Sequence, residues 1–203
     1  GCVYKHSRSN FKDIMVITGT DHMGDMITLL GSGSDYDCQF TYKVQDEPDG
    51  IAGALKLCAN FVGDDRCVVI LGDNIFEESL SSHVKSFEKS NKKAKLFFTT
   101  VEDPERYGVG VFAEDESLLR IQEKPKRPKS NQACVGIYMY SSEVFDAIKR
   151  VGKSRRGEYE ITSINNFFCK SGDAEYVSLK KRWVDAGTLD AYHNTNRVIY
   201  ESE

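Results

Sequence analysis

Apolar residues recur along this chain with two alternating spacings. Phe11-Lys12-Asp13-Ile14-Met15-Val16-Ile17-Thr18-Gly19 is a β-branched run closed by glycine and predicts a buried strand. Met26, Ile27 and Leu30 then fall on one helical face before Gly31. Phe40 to Gln45 alternates as a strand does. Ile51, Ala54, Leu55, Cys58 and Phe61-Val62 return to helical spacing, with Gly63 placed to end that helix. Cys67-Val68-Val69-Ile70-Leu71 is apolar throughout, as a central strand of a parallel sheet would be. A helix marked by Leu80, Val84 and Phe87 and a strand from Leu96 to Val101 follow. The β-α-β-α-β-α-β order predicts an α/β fold with a mostly parallel sheet and helices on both faces.

The second half changes character. Val109–Phe112, Leu118–Gln122 and Ala133–Tyr140 read as strands with little helix between them. Helices are expected at Ser142–Val151 and Glu158–Lys170, a strand at Glu175–Leu179 and a closing helix from Leu189 to Tyr200. No internal repeat or low-complexity linker interrupts the chain, so residues 1–203 are read as one domain with an elaborated C-terminal half. Gly31-Ser32-Gly33-Ser34 follows a helix rather than a strand, so it predicts a surface turn and not a phosphate-cradling loop.

Composition narrows the function classes. Net charge is -4 with 40% hydrophobic and 29% charged residues. That balance gives no reason to expect nucleic acid or an anionic membrane as partner. No apolar run approaches bilayer length, and the first residues show no apolar leader core. The six cysteines (Cys2, Cys38, Cys58, Cys67, Cys134, Cys169) never form Cys-x-x-Cys and read as reduced thiols of a cytoplasmic protein. The four histidines (His6, His22, His83, His193) make no metal pattern.

In open parallel sheets a ligand sits beyond the carboxyl ends of the strands. Asp73 emerges there, in Leu71-Gly72-Asp73-Asn74, either as a Mg²⁺ ligand or as a helix cap. Asp185, in Trp183-Val184-Asp185-Ala186-Gly187-Thr188, is open to the same two readings, with Thr188 the better-placed cap for the next helix. Gln45-Asp46-Glu47-Pro48-Asp49-Gly50-Ile51 joins a strand to a helix. The Gln45 amide suits the edge of a pyrimidine base, although a plain turn explains the stretch as well. Lys124 to Lys129 carries four cations and two prolines, which a solvated loop largely explains.

Six stretches in order give the chain a resemblance to glucose-1-phosphate thymidylyltransferases and related sugar-1-phosphate nucleotidyltransferases. They are Gln45–Ala52, Leu71–Phe76, Tyr107-Gly108-Val109, Gln122-Glu123-Lys124-Pro125, Arg156-Gly157-Glu158-Tyr159-Glu160-Ile161-Thr162 and Trp183–Thr188. The resemblance implies a Rossmann-like sheet with a sugar-binding insertion. It implies that Asp73 and Asp185 hold the catalytic Mg²⁺, and that Gln45, Pro48, Gly50 and Asp73 bind the nucleotide. Tyr107, Gly108, Glu123 and the backbone near Val135 would contact the sugar, and Lys124 and Arg156 its phosphate. The implied reaction joins a nucleoside triphosphate, dTTP foremost, to a sugar 1-phosphate, glucose 1-phosphate foremost, in a homo-oligomer serving nucleotide sugar biosynthesis in the cytoplasm.

One departure stands out. The family's Gly-Gly-x-Gly-Thr-Arg-Leu loop, which serves the triphosphate, does not occur in these 203 residues. The chain is therefore read as N-terminally truncated relative to the family, and a sugar-nucleotide-binding or regulatory module that has lost catalysis is the alternative. A metal-dependent glycosyltransferase also places aspartates at strand ends, but the Arg156–Thr162 stretch argues against it. Glu158 and Glu160 are expected to favour a helix start rather than to act in catalysis.

Overall fold

The computed structural model describes residues 2–7 and 10–187. Its strands are β1 (Cys2–Ser7), β2 (Asn10–Thr18), β3 (Gln39–Val44), β4 (Cys67–Ile70), β5 (Asn74–Phe76), β6 (Ala94–Thr100), β7 (Gly108–Phe112), β8 (Leu118–Glu123), β9 (Gln132–Tyr140), β10 (Ala174–Ser178) and β11 (Trp183–Asp185). Its helices are α1 (Met23–Leu30), α2 (Ile51–Lys56), α3 (Ala59–Val62), α4 (Ser81–Lys89), α5 (Val144–Val151) and α6 (Ile161–Lys170). The expected closing helix at Leu189–Tyr200, and Thr188 before it, lie outside the described residues.

The main sheet runs β10-β6-β9-β4-β1-β2-β3, and β7 joins β9 to β8 at one side. β2/β3 and β6/β10 pair in parallel. β9 enters reversed between β4 and β6, and β1 enters reversed between β4 and β2. Hence β3, β2, β4, β6 and β10 share one direction, as the helix-strand alternation requires, while the ladders through β1 and β9 are antiparallel. β5 and β11 form a separate two-stranded ribbon.

Strand alternation divides the core into two layers. Cys67 and Val69 of β4, Leu96 and Phe98 of β6, and Tyr138 and Tyr140 of β9 face α2, α5 and α6. Val68, Phe97, Val135, Ile137 and Met139 face the other way, onto Val84 and Phe87 of α4. Burying each large apolar side chain of these layers contributes about 1.5–3 kcal/mol. So the sheet is covered on both faces.

Three local outcomes differ from the sequence reading. The helix expected from Ile51 to Val62 breaks into α2 and α3, because Leu57 and Cys58 donate to Ala54 and Leu55, three residues back, and tighten the turn. The helix expected from Glu158 begins at Ile161, because Glu160 is extended with φ -76° and ψ 122°. β1, β5 and β11 are strands that the hydrophobic pattern did not announce.

Candidate active site

The site forms where β4 ends. Its chain turns at Leu71-Gly72-Asp73 and re-enters extended structure as β5, whose Asn74 pairs in register with Asp185 of β11. The Ala186 amide donates to the Asp73 carbonyl at 2.7 Å, locking the two segments together. The carboxylates converge: a Cβ built on Gly187 would stand 3.0 Å from Asp185 Oδ1 and 3.2 Å from Asp73 Oδ2. The Gly187 amide already donates to Asp185 Oδ1 at 3.0 Å. Two aspartates from opposite halves of the chain therefore share one small space.

A cavity of about 220 Å³ opens at this point. Asp73 and Asp185 line it together with Tyr107, Gly108, Glu123 and Lys124. Glu123 ends β8, opposite Gly108 of β7, and accepts a 2.6 Å hydrogen bond from Thr162 at the start of α6. Lys124 takes φ +41°, a left-handed conformation that costs an L residue about 1 kcal/mol, and its amide donates to Tyr107 O at 2.9 Å. Such strain persists where the surroundings over-determine it. The Tyr107 hydroxyl is pushed up by burial and by the charges of Asp103 and Asp185, with Arg106 opposing. Burial, then Cys134, Glu123 and Asp73, raises the Tyr138 hydroxyl well above its ordinary value. Both phenols stay neutral at pH 7.

Beside this cavity lies a second, of about 310 Å³, lined almost wholly by apolar side chains. Val3, Ile17, Val69 and Leu71 form part of its wall, and Gln45, Pro48 and Gly50 close one side. Ile51 and Leu71 belong to both cavities, so the two are contiguous. Gln45 donates from Nε2 to Asp49 Oδ1 at 2.8 Å and to Gly50 O at 3.2 Å. Gly50 has φ +93°, and a Cβ there would meet Tyr159 O at 2.7 Å, so only glycine fits this turn.

Two of the expected site residues stand apart from these cavities. Val135 is buried against the α4 layer, and its neighbours of opposite parity, Cys134 and Gly136, line the 220 Å³ cavity instead. Arg156 is exposed outside the lining, with Nε and Nη2 donating to Glu160 Oε1 at 3.1 and 2.8 Å. Sequence reasoning passed over Asn74, Thr162, Asn165, Trp183 and Arg106, which all line the cavity. Arg106 donates to Asp103 Oδ2 at 2.7 Å. A signal was present for some: Asn74, Thr162 and Trp183 lie inside the six stretches.

Among the described residues no group of three or more His, Cys, Asp or Glu side chains gathers to hold a metal. Two carboxylates do suit Mg²⁺, which takes one or two from protein and the rest of its oxygens from phosphate and water. The donor set thus fits a phosphate-bound cation and does not fit a closed structural zinc site.

Comparison with known proteins agrees with this geometry. Residues 2–202 match the family model described as nucleotidyl transferase. Glucose-1-phosphate thymidylyltransferase of Neisseria meningitidis is 36% identical over 194 residues, covering 94% of this chain and 67% of the relative. The enzyme of that name from Mycolicibacterium smegmatis is 37% identical over 186 residues, covering 90% and 64%. The chain thus spans about two thirds of the length of these relatives. A solved structure from Bacillus anthracis, provisionally assigned as a glucose-1-phosphate thymidylyltransferase and complexed with sucrose, superposes with a TM-score of 0.88 at 47% identity, covering 93% of this chain and 76% of that one. A UDP-glucose pyrophosphorylase complexed with UDP-glucose has a TM-score of 0.80 at 19% identity, covering 95% and 82%, and shares the fold.

Proposed function

Because the chain belongs to the nucleotidyl transferase family, we propose that it carries most of a Mg²⁺-dependent sugar-1-phosphate nucleotidyltransferase, with dTTP and glucose 1-phosphate as substrates. The observation that carries this reading is the meeting of Asp73 and Asp185 around one point at the rim of the sheet. An apolar slot with one amide suits a pyrimidine base, and the adjoining cavity with Glu123 and Lys124 suits a sugar phosphate.

In the proposed reaction a phosphate oxygen of the sugar 1-phosphate attacks the α-phosphorus of the triphosphate, and pyrophosphate leaves in line. The nucleophile is an anion at neutral pH, so no side chain need remove a proton. The task of the protein is to bring two polyanions together. At 4 Å, two unit charges repel by about 4 kcal/mol at an effective dielectric of 20. Lys124 offsets part of that repulsion and orients the sugar phosphate. Glu123, held by Thr162, accepts hydroxyl hydrogen bonds from the sugar. Mg²⁺ held between Asp73 and Asp185 would supply further charge neutralisation at the phosphates. Arg156 would reach the phosphate only by leaving Glu160. The reading includes a cytoplasmic homo-oligomer. It also includes a triphosphate segment of the Gly-Gly-x-Gly-Thr-Arg-Leu kind completing the single domain that residues 1–203 form most of.

The test, made on the full-length gene product with its triphosphate segment, is pyrophosphate release from dTTP, UTP, CTP, GTP or ATP with glucose 1-phosphate and Mg²⁺. Calorimetric binding of the matching sugar nucleotide is measured on the same preparation. Release is expected with dTTP. Binding without turnover by any pair would favour the regulatory module. Absence of both would overturn the proposal.

A further inference from the structure

We infer that Asn74 is a positioning residue that sets Asp73 and registers the ribbon bearing Asp185, so that the two carboxylates can share one cation. The inference rests on the reading of those aspartates as cation ligands. Asn74 Nδ2 donates to Asp73 Oδ1 at 2.8 Å. Its Oδ1 accepts twice, from the Gly136 amide at 2.8 Å and from Trp183 Nε1 at 2.7 Å. One side chain thus joins the end of β4, the middle of β9 and the start of β11.

The geometry leaves this amide little freedom. A Cβ on Gly136 would stand 2.6 Å from Asn74 Nδ2 and 2.8 Å from Asn74 Cγ, so β9 approaches the amide as closely as only glycine allows. The Gly136 carbonyl meanwhile accepts from the Leu71 amide at 2.9 Å, tying the same β9 residue to the turn before Asp73. Because Oδ1 is committed as acceptor to two N–H groups, the amide must present its NH₂ to Asp73. That donor directs Asp73 Oδ1 back toward the protein, while Asp73 Oδ2 is the oxygen near Gly187 and Asp185. A carboxylate with one oxygen pinned and the other presented is preorganised for a metal, as orienting hydrogen bonds to ligands are elsewhere. Asn74 touches no reacting atom in this account and acts through Asp73 and Asp185.

The experiment is a Mn²⁺ titration of the substrate-free protein, read by electron paramagnetic resonance, on wild type, Asp73→Asn, Asn74→Ala and Trp183→Phe. Trp183 is the only tryptophan, so its emission separately reports whether the Asn74 contact is intact. Wild type should bind Mn²⁺, Asp73→Asn should lose most of that binding, and Asn74→Ala should weaken it about 10-fold or more with secondary structure unchanged by circular dichroism, in line with the usual cost of removing an orienting partner. Trp183→Phe retains the Asn74–Asp73 bond and should weaken binding by only a few-fold. It decides the matter if Asn74→Ala does not fold. In turnover, Asn74→Ala should lower kcat and leave KM for the sugar phosphate within about twofold, as expected of a group acting on the transition state. Wild-type Mn²⁺ binding that is unchanged in both Asn74→Ala and Trp183→Phe would overturn the positioning role alone. If wild type itself binds no Mn²⁺, the reading of the aspartates fails and this inference with it.

Discussion

Asp73 and Asp185 illustrate how a single side chain acquires meaning from its neighbours. Each could have been a helix cap; Asp73 instead leads into β5, and Asp185 lies in β11, with the helix expected after it outside the described residues. Converting Asp73 to Asn keeps the shape and removes the charge. If the carboxylate works on the transition state, Asp73→Asn should cut kcat at least about 100-fold and change sugar-phosphate binding by less than about threefold. Steady-state kinetics with calorimetry decide this, and equal losses in both would mark a structural aspartate. Asp73, Asp185, Glu123, Lys124, Gly50, Gly108 and the Gln45 amide were legible because they lie in stretches that occur in order along the chain. Arg106, Gly136 and the other amides and hydroxyls were not. Asn74, Thr162 and Asn165 matter through partners far away in sequence, and nothing in their spacing names those partners. Arg156 shows the converse, since a cation in a recognisable stretch is here engaged by Glu160 and stands outside the cavity lining.

At the scale of elements, the coupling of α6 to β8 governs the side of the cavity that bears Glu123. β8 pairs only with β7, which leaves its other edge open. The Asn166 side chain closes it as a neighbouring strand would, donating to Ile121 O at 2.9 Å and accepting from Ile121 N at 2.7 Å. Two residues beyond Ile121, Glu123 meets Thr162 of the same helix. Asn166→Ala leaves both backbone groups of a buried residue without their partner. It should cost about 1–3 kcal/mol in urea unfolding and raise KM for the sugar phosphate. Unchanged stability with unchanged KM would mean that the helix docks by apolar contacts alone. The long, strongly periodic elements were readable from sequence: β4 from its apolar run, α4 from its spacing, β9 from its nine residues. β5 and β11 were not, because three residues carry no period and their pairing is decided by the turn after β4. β1 was missed because six residues at the front carry too weak an alternation to stand out.

The molecule as a whole buries thiols in its core, Cys67 in β4 and Cys58 between α2 and α3. Burial foremost pushes Cys58 and Cys67 up from 9.0 to about 12, with Lys43 opposing at Cys58 and Cys58 adding to the shift at Cys67. In the unfolded chain these thiols ionise near their ordinary value, while in the folded protein they remain neutral. Their contribution to stability is therefore complete below about pH 9 and declines as pH rises from there to about 12. Each such thiol should remove roughly 1 kcal/mol or slightly more per pH unit across that window. Urea denaturation at pH 8, 9.5 and 10.5 checks this. Cys67→Ser, whose hydroxyl does not titrate there, should shallow the decline, and an unaltered slope would place its cause elsewhere. The α/β layering and the common direction of β2, β3, β4, β6 and β10 were read correctly from the alternation of helix and strand, but only β2/β3 and β6/β10 pair in parallel, so the sheet is mixed rather than mostly parallel. Its reversed members, β1, β8 and β9, were beyond that reading, since the direction of a strand is not encoded in its hydrophobicity.

Lys124 sits at the one point where comfort and use diverge. Its backbone is bent into a shape that glycine would adopt without complaint, yet its ammonium lines the cavity and, in the proposed reaction, meets the sugar phosphate. A laboratory screen that rewarded heat resistance alone would drift toward glycine at this position and discard the charge with the discomfort. The lysine is thus a place where selection for chemistry and selection for durability pull in opposite directions.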